Sequence, residues 1–507
     1  MKENRILTMY DIRGIQDYVF KTNKIREIVG ASKIIDEILI NALHAFSMTK
    51  EDVEEYYLWN WKNEDSKYDE ENEKVMMQTI YVGGGNAYVL YHEDIYQEAN
   101  KFVSKYVLDN TYSLRLAIAN VDADDFGEAY ENVNSEMFTV KAKMPCSIPV
   151  GAFSFTKIDS ITGYPLSKIS AIDDACVCKE TYLKEIAFKS VPNENKNTFD
   201  SMGLKKGDDS TLALVCLDGN NIGERILKKF KNLETYKSSF KHMRNLSKGI
   251  DKAFKNAFNV MEKGINNQKL YRKIILAGDD ICFVCNPRVV MNAVENFLEE
   301  LSKQDCSFMA DPSIPFTACA GIAFFNSHFP FSDAYKVAIA CCDNAKKTAK
   351  SEKFYKGDPV GSFVDFQICT NVNASDLDAY RDKHYIVDGK SFINRPYYVE
   401  LNTGNRSNTD AIDDVNKQSI NNLNEKIDIL NNLPRNVAKE IRAAIVNGDN
   451  EIEKEISYLN SRGIYLNTNT KNSNNNITLK EEKAVWYDAC ELMDFYSSKE
   501  NGENENN

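Results

Sequence analysis

The chain has 507 residues, 43% hydrophobic and 27% charged, with 26 Tyr and 26 Phe, a composition that excludes wholesale disorder, collagen or a coiled coil and predicts several folded domains. Its 75 Asp and Glu outweigh 62 Lys and Arg for a net charge of -13, so the surface as a whole repels nucleic acid and anionic membrane, and any such partner must meet a local basic patch. No apolar run approaches the roughly 18 residues of a membrane span and no signal-like core follows Met1, so the expectation is a cytoplasmic protein with no membrane partner and its 12 Cys as free thiols.

Residues 1–145 open with an apolar run (Ile6 to Tyr10), a helical pattern from Ile15 to Ile38 and an acidic, Tyr-rich connector at 51–75. Thr79 to Tyr91 then reads as two strands around Gly83-Gly-Gly-Asn86, since glycine tolerates the positive φ of a tight hairpin turn. A helix near 93–107, a strand from Leu114 to Val121 and a helix near 126–143 follow. Residues 146–210 form a small linker domain rich in turns, with Thr162-Gly-Tyr-Pro165 and a Cys176-Val-Cys178 pair.

Within a second domain at 211–400, residues 211–350 repeat the first order. A strand from Thr211 to Leu217 ends in Asp218-Gly-Asn-Asn-Ile-Gly223, helical sequence fills 222–265, and a hairpin runs from Lys273 through Ala277-Gly-Asp-Asp280 to Cys285. A helix at 288–303, a strand from Phe316 to Phe325, and a helix at 332–350 with Ser332 as its N-cap complete the unit. The fold class predicted is α+β, with two ferredoxin-like (β-α-β-β-α-β) domains, the intervening domain and a helical C-terminal region. That region spans 401–498, and a polar tail at 499–507 is predicted to be disordered.

The five His are scattered, no two near each other and none followed by Asp, which argues against a His-rich metal hydrolase site and places any catalysis on carboxylates. Asp218 ends one strand while Asp279 and Asp280 occupy the turn of a neighbouring hairpin, and strands ~4.8 Å apart let these acids converge on a shared ion. Mg²⁺ or Mn²⁺ takes hard oxygen ligands and needs only one or two carboxylates plus substrate phosphates. Such a site suits nucleotidyl transfer to a ribose hydroxyl with pyrophosphate leaving. Asp-Gly alone is a common surface turn, so the weight rests on the order strand, Asp-Gly-Asn-Asn, long helix, strand, Gly-Asp-Asp, strand.

Residues 222–273 hold 14 Lys and Arg against four acids, a balance of +10, which suits steering of nucleotides or RNA backbone and equally suits a solvated helix face. Lys346 and Lys350 lie four apart on one helix face, in reach of phosphate or of solvent. Cys282 and Cys285 fall within one strand, facing opposite sides, and make no ligand pair. Cys146, Cys176 and Cys178 lack a fourth zinc ligand.

These motifs together resemble the palm-domain large subunit (the polymerase/cyclase subunit) of type III CRISPR effector complexes, or a stand-alone relative. The likeness rests on Gly14-Ile-Gln16, Gly83 to Asn86, Thr162 to Pro165, Leu217 to Gly223, Ala277 to Asp280, and Ala320-Gly-Ile-Ala323 leading to Ala345-Lys346. It implies that Asp218, Asp279 and Asp280 bind catalytic Mg²⁺ or Mn²⁺. It also implies that Gly219, Asn220, Asn221, Gly278, Lys346 and Lys350 face one nucleotide, and that the acid-free first palm holds a second at Gly83, Gly84, Gly85 and Asn86. The activity implied is conversion of ATP or other NTPs into 3′-5′ cyclic oligonucleotides, second messengers of antiviral defence. Partners implied are RNA and other CRISPR effector subunits, or further copies of the chain if it acts alone. Ala277 replaces the family's usual Gly, the zinc-binding Cys pairs are reduced to Cys176 and Cys178, and the absence of a His-Asp pair predicts no DNase. The alternative is a non-catalytic nucleotide- or RNA-binding scaffold subunit.

Overall fold

A computed structural model describes residues 5–51, 56–62, 74–123, 126–144, 155–191, 210–230, 236–265, 270–355, 359–369, 376–387, 389–399, 417–464, 466 and 479–495. The first half runs β1 (Arg5–Arg13), α1 (Ile15–Val19), α2 (Ile25–Ser47), β2 (Tyr57–Leu58), β3 (Met77–Gly83), β4 (Asn86–His92), α3 (Tyr96–Thr111), β5 (Arg115–Asp122) and α4 (Phe126–Lys143). Its sheet has the order β2-β3-β4-β1-β5, with β1 antiparallel to both neighbours. Alternation along β1 sends Leu7 and Met9 into one core and Tyr10 and Ile12 into the other, so helices cover both faces.

The helical periodicity from Ile15 to Ile38 resolves into two helices. At the break, Phe20 packs against Tyr335 with centroids 3.9 Å apart and ring planes tilted by 32°, and Asn23 Oδ1 accepts from the Phe331 backbone N–H at 2.9 Å. Contacts with the second half thus override local helical continuity, a tertiary effect that periodicity does not register.

The intervening segment contributes β6 (Leu166–Ile169), β7 (Cys176–Cys178) and α5 (Lys179–Lys189). Helix α2 packs on α5 at Gly30, where a Cβ would run into the Lys184 carbonyl.

The second half runs β8 (Thr211–Gly219), α6 (Ile222–Phe230), α7 (Tyr236–Gly264), β9 (Tyr271–Ala277), β10 (Asp280–Cys285), α8 (Pro287–Ser302), β11 (Ala318–Asn326) and α9 (Phe331–Ala349). It continues through β12 (Ser362–Cys369), α10 (Leu377–His384), β13 (Ile386–Val387), β14 (Lys390–Ser391) and β15 (Tyr397–Val399). Its sheet order, β15-β12-β11-β8-β10-β9, repeats the first palm's core arrangement and extends it by β12, parallel to β11, and β15. Helix α9 lies close on β11 because Gly321 leaves no side chain between them: a Cβ there would meet the Ala338 carbonyl and the Cys342 nitrogen. The N-cap of α9 is Pro330 and not Ser332, which lies inside the first turn. Phe331, the first helical residue, is held by Phe20 and Asn23, and that anchorage shifts the start.

Among the described residues, four helices follow: α11 (Ile420–Asn431), α12 (Arg435–Asn447), α13 (Asp449–Ser461) and α14 (Lys483–Leu492). They share a core with the second sheet. Arg395 is buried there, its guanidinium 3.0 Å from Glu491 and stacked 4.5 Å over Phe366. Asp488 accepts from Tyr397 Oη at 2.6 Å and from the Asn394 N–H at 2.8 Å. Cys146 and the tail at 499–507 lie outside the described residues. Among those described, no helix is long and apolar enough to cross a membrane.

Candidate functional site

Two hairpins set up the site. In the β9–β10 turn, Gly278 takes φ 65°, the left-handed conformation such a turn demands at its first central residue, and Asp280 pairs with Ala277 to open β10. Strand β10 pairs with β8 in the register Ile281↔Leu217. One further step along that ladder sets Asp280 beside Asp218. Asp279 lies against the next residue of β8: a Cβ added to Gly219 would lie 3.0 Å from the Asp279 Cβ. From the other side, Asp218 is paired in register with Cys319 of β11, and α9 delivers Lys346, whose ammonium forms an ion pair with the Asp218 carboxylate.

The electrostatics follow from three carboxylates and one ammonium. Burial and then the Asp218 charge raise the pKa of Asp279, with partial relief from a backbone hydrogen bond and Lys346. Asp280 is pushed up to about 7 by burial, then by Asp279 and Asp218, against Lys346. Asp280 is exposed, so solvent screens part of this effect, and the two adjacent carboxylates are the lasting cause. Burial works against the charge of Lys346, but the hydrogen bond and charge of Asp218 outweigh it and hold its pKa up.

The first palm carries a counterpart that its sequence motifs do not mark. Asp11 pairs in register with Asn86, as Asp218 sits beside Asp280, and the Lys141 ammonium of α4 meets the Asp11 carboxylate at 2.5 Å. Burial raises the Asp11 pKa despite Lys141. Gly84 and Gly85 take φ 61° and 81°, forming the turn, while the Asn86 Oδ1 is buried without a hydrogen-bond partner. The signal available in the sequence was the nearly equal chain separation of Asp11 from Lys141 and of Asp218 from Lys346 in a duplicated unit.

Other candidates are placed differently. Asn220 is buried and its amide nitrogen donates to Thr317 Oγ1 and the Gly361 carbonyl, each at 3.1 Å, so that side chain pins the loop after β8. Asn221 takes φ 55° and its Oδ1 is buried without a hydrogen-bond partner. Lys350 is the exposed C-cap of α9 and forms no ion pair with the three acids. Tyr81, from the first palm, reaches the second: its hydroxyl lies 3.9 Å from where a Cβ on Gly278 would stand, and burial followed by the charges of Asp251 and Asp279 raises its pKa. Part of the basic island is structural. Arg225 donates to the carbonyls of Ile314 and Pro315, and Arg244 to that of Trp61. Cys282 and Cys285 belong to different cores, and Cys178 caps α5, accepting from the Thr181 N–H.

Among the described residues, no three His, Cys, Asp or Glu side chains form a ready-made metal cage. Lys346 occupies the position on Asp218 that a cation would take. The residues nonetheless fit a divalent ion in kind. They are hard oxygen donors, their mutual repulsion is only partly offset by one ammonium, and Mg²⁺ requires only one or two carboxylates when phosphates complete its shell.

Residues 211–354 match the family model for the Cas10/Cmr2 second palm domain. Among solved structures, the chain is similar to Csm1 in an apo Csm1-Csm4 cassette, with TM-score 0.51 and 13% identity over 97% of this chain and 70% of that one. It is also similar to Csm1 in the cassette with pppApApA (TM-score 0.50, 12% identity, 97% and 69% covered). A third match is the Csm1-Csm4 subcomplex of the type III-A CRISPR-Csm interference complex (TM-score 0.50, 12% identity, 97% and 70% covered). Against the Csm1 chain of an AMPPNP-bound cassette, the chain spans only 53% of that chain's length. No curated protein matches the chain by sequence. The family match thus covers residues 211–354, the segment that holds the Gly-Asp-Asp hairpin, and the similar structures share the fold of the chain.

Proposed function

We propose that the chain is a metal-dependent nucleotidyltransferase that joins ATP, or another NTP, into 3′-5′ cyclic oligonucleotides acting as second messengers in antiviral defence. The observation that carries this reading is the convergence of Asp218, Asp279 and Asp280 on one turn, with Lys346 beside them, inside the segment that matches the Cas10/Cmr2 second palm. Asp218, Asp279 and Asp280 would hold Mg²⁺ or Mn²⁺. When bound, such ions lower the pKa of an attacking hydroxyl and stabilise a pyrophosphate leaving group.

The chain's own residues then have definable parts. The bare backbone of Gly278 lets a phosphate approach the turn. Lys346, already drawn in by Asp218, can turn its ammonium to a phosphate oxygen once a cation takes over the carboxylate. On the first palm, Gly83, Gly84, Gly85 and Asn86 would receive the second nucleotide, with the Asn86 Oδ1 as an acceptor. Csm1 is seen with Csm4 in the similar structures, and a subunit of that kind is the protein partner this reading expects, with RNA as a candidate activator.

Incubating the purified chain with each NTP and Mg²⁺ or Mn²⁺, with and without RNA, and identifying products by mass spectrometry tests the proposal. Cyclic product that disappears in Asp279→Ala plus Asp280→Ala supports it. No product under any of these conditions favours the scaffold alternative.

A further inference from the structure

The palms grip each other reciprocally: α2 of the first contacts β9 of the second, and α7 of the second contacts β3 of the first. Tyr81 stands on β3 at that second contact. It lines a cleft of about 390 Å³ between the palms, whose walls include Gly278, Arg272 and Lys273. The register of β3 against β4 shifts between Thr79 and Tyr81, and the phenol lies over its own turn, where a Cβ on Gly83 would run into the hydroxyl. The same hydroxyl is 3.9 Å from where a Cβ on Gly278 would stand. One oxygen of the first palm thus sits between both turns, beside the Gly-Asp-Asp hairpin. The second palm has no counterpart. Ile275 holds the matching place, two residues before the pair Ala277↔Asp280 as Tyr81 is two before Gly83↔Asn86.

The ring is fixed while the hydroxyl is available. Buried Trp61 meets the ring edge-on with centroids 5.1 Å apart, and Tyr81 packs against both hydrophobic cores. Among the described residues, none hydrogen-bonds the Tyr81 hydroxyl. Burial and then the charges of Asp251 and Asp279, with Asp280 adding to them, raise its pKa, so the phenol is a neutral donor at neutral pH. Carboxylates are the charges that act on it, which disfavours an anion at that point and leaves a neutral oxygen as the acceptor that fits. In a nucleoside triphosphate whose phosphates are engaged at the acid cluster, the next polar groups are the ribose hydroxyls. A 3′-5′ linkage consumes the 3′-hydroxyl and leaves the 2′-hydroxyl to be read.

We propose that Tyr81 is a specificity-determining residue, its hydroxyl donating a hydrogen bond to the ribose 2′-hydroxyl of a nucleotide at the Gly278 turn and so favouring ribonucleotides over deoxyribonucleotides. The proposal rests on the nucleotidyltransferase reading and adds to it the residue that reads the sugar. A side chain of the first palm thereby completes the site of the second, and a site built to hydrogen-bond a substrate hydroxyl discriminates against the analogue that lacks it.

Binding of α,β-methylene ATP and of its 2′-deoxy form to the full chain with Mg²⁺, followed by calorimetry, tests it without turnover, because carbon replaces the oxygen of the bond that would break. The unmodified chain is expected to favour the ribose form about tenfold. Tyr81→Phe keeps the ring against Trp61 and should weaken the ribose form by about that factor while leaving the 2′-deoxy form unchanged, so that the preference disappears. An unmodified chain that binds neither analogue or both alike, a Tyr81→Phe chain that keeps the preference, or equal weakening of both analogues, the mark of a packing role, would each overturn the proposal. Failure of the catalytic reading appears separately, as absent product from ATP in a chain that retains the sugar preference.

Discussion

The two palms share a strand order, a hairpin and a lysine on the strand-1 aspartate, yet they differ in charge at the turn. In the first palm, Asp11, Lys141, Gly85 and Asn86 sum to neutrality. In the second, Asp218, Lys346, Asp279 and Asp280 leave two negative charges over. A neutral site has no electrostatic need of a cation, whereas the second lacks compensation until one arrives. On the proposed function, what both palms keep belongs to the fold and the pocket, and the two additional acids of the second turn belong to the reaction.

Rewriting the second turn as the first, with Asp279→Gly and Asp280→Asn, should break the comparison most severely. Product formation, read by mass spectrometry, is expected to fall by at least roughly a thousandfold with circular dichroism unchanged. Next comes the packing unique to the second palm. Arg395→Leu removes the buried guanidinium beside Asp488 and leaves Glu491 with Arg442 alone as its cation, and should cost about 3 kcal/mol in urea denaturation, whereas Lys141→Ala in the first palm should cost within about 1 kcal/mol.

Lys346→Ala is expected to lower kcat by roughly 10–100-fold, and Lys141→Ala to act mainly on KM; similar effects on both parameters would erase the functional distinction. The smallest effect is on pH. The folded-state pKa of Asp280 is raised from the ordinary 3.8 to about 7, so the folded chain holds more protons across that window and stability falls as pH rises through it. Asp280→Asn should therefore stabilise the metal-free chain at pH 8 by roughly 1 kcal/mol, after allowance for solvent screening, and have no such effect below about pH 4. Thermal melts at the two pH values check the sign.

Much of this contrast was legible in the sequence because it is written in local terms. Glycine before a pair of acids that opens a strand announces a turn, and the unbroken apolar run from Leu212 to Leu217 announces a central strand. What stayed hidden depends on distant residues. The break after Val19 exists because Phe20 and Asn23 grip the start of α9. The Asp11–Lys141 pair needs the sheet to bring α4 across β1, and Asp488 meets Tyr397 only through packing of the C-terminal helix. The basic run at 222–273 was ambiguous for a related reason, since Arg225 and Arg244 serve backbone carbonyls while Arg272 and Lys273 face the cleft. Composition is identical in both roles.

The most direct test of the account is Mn²⁺ binding, by electron paramagnetic resonance, to the full chain with a non-hydrolysable ATP analogue. Bound Mn²⁺ should vanish in Asp279→Gly plus Asp280→Asn and persist in Asp11→Asn. Persistence of the signal in the former, or its loss only in the latter, would contradict the assignment of the reaction centre to the second palm.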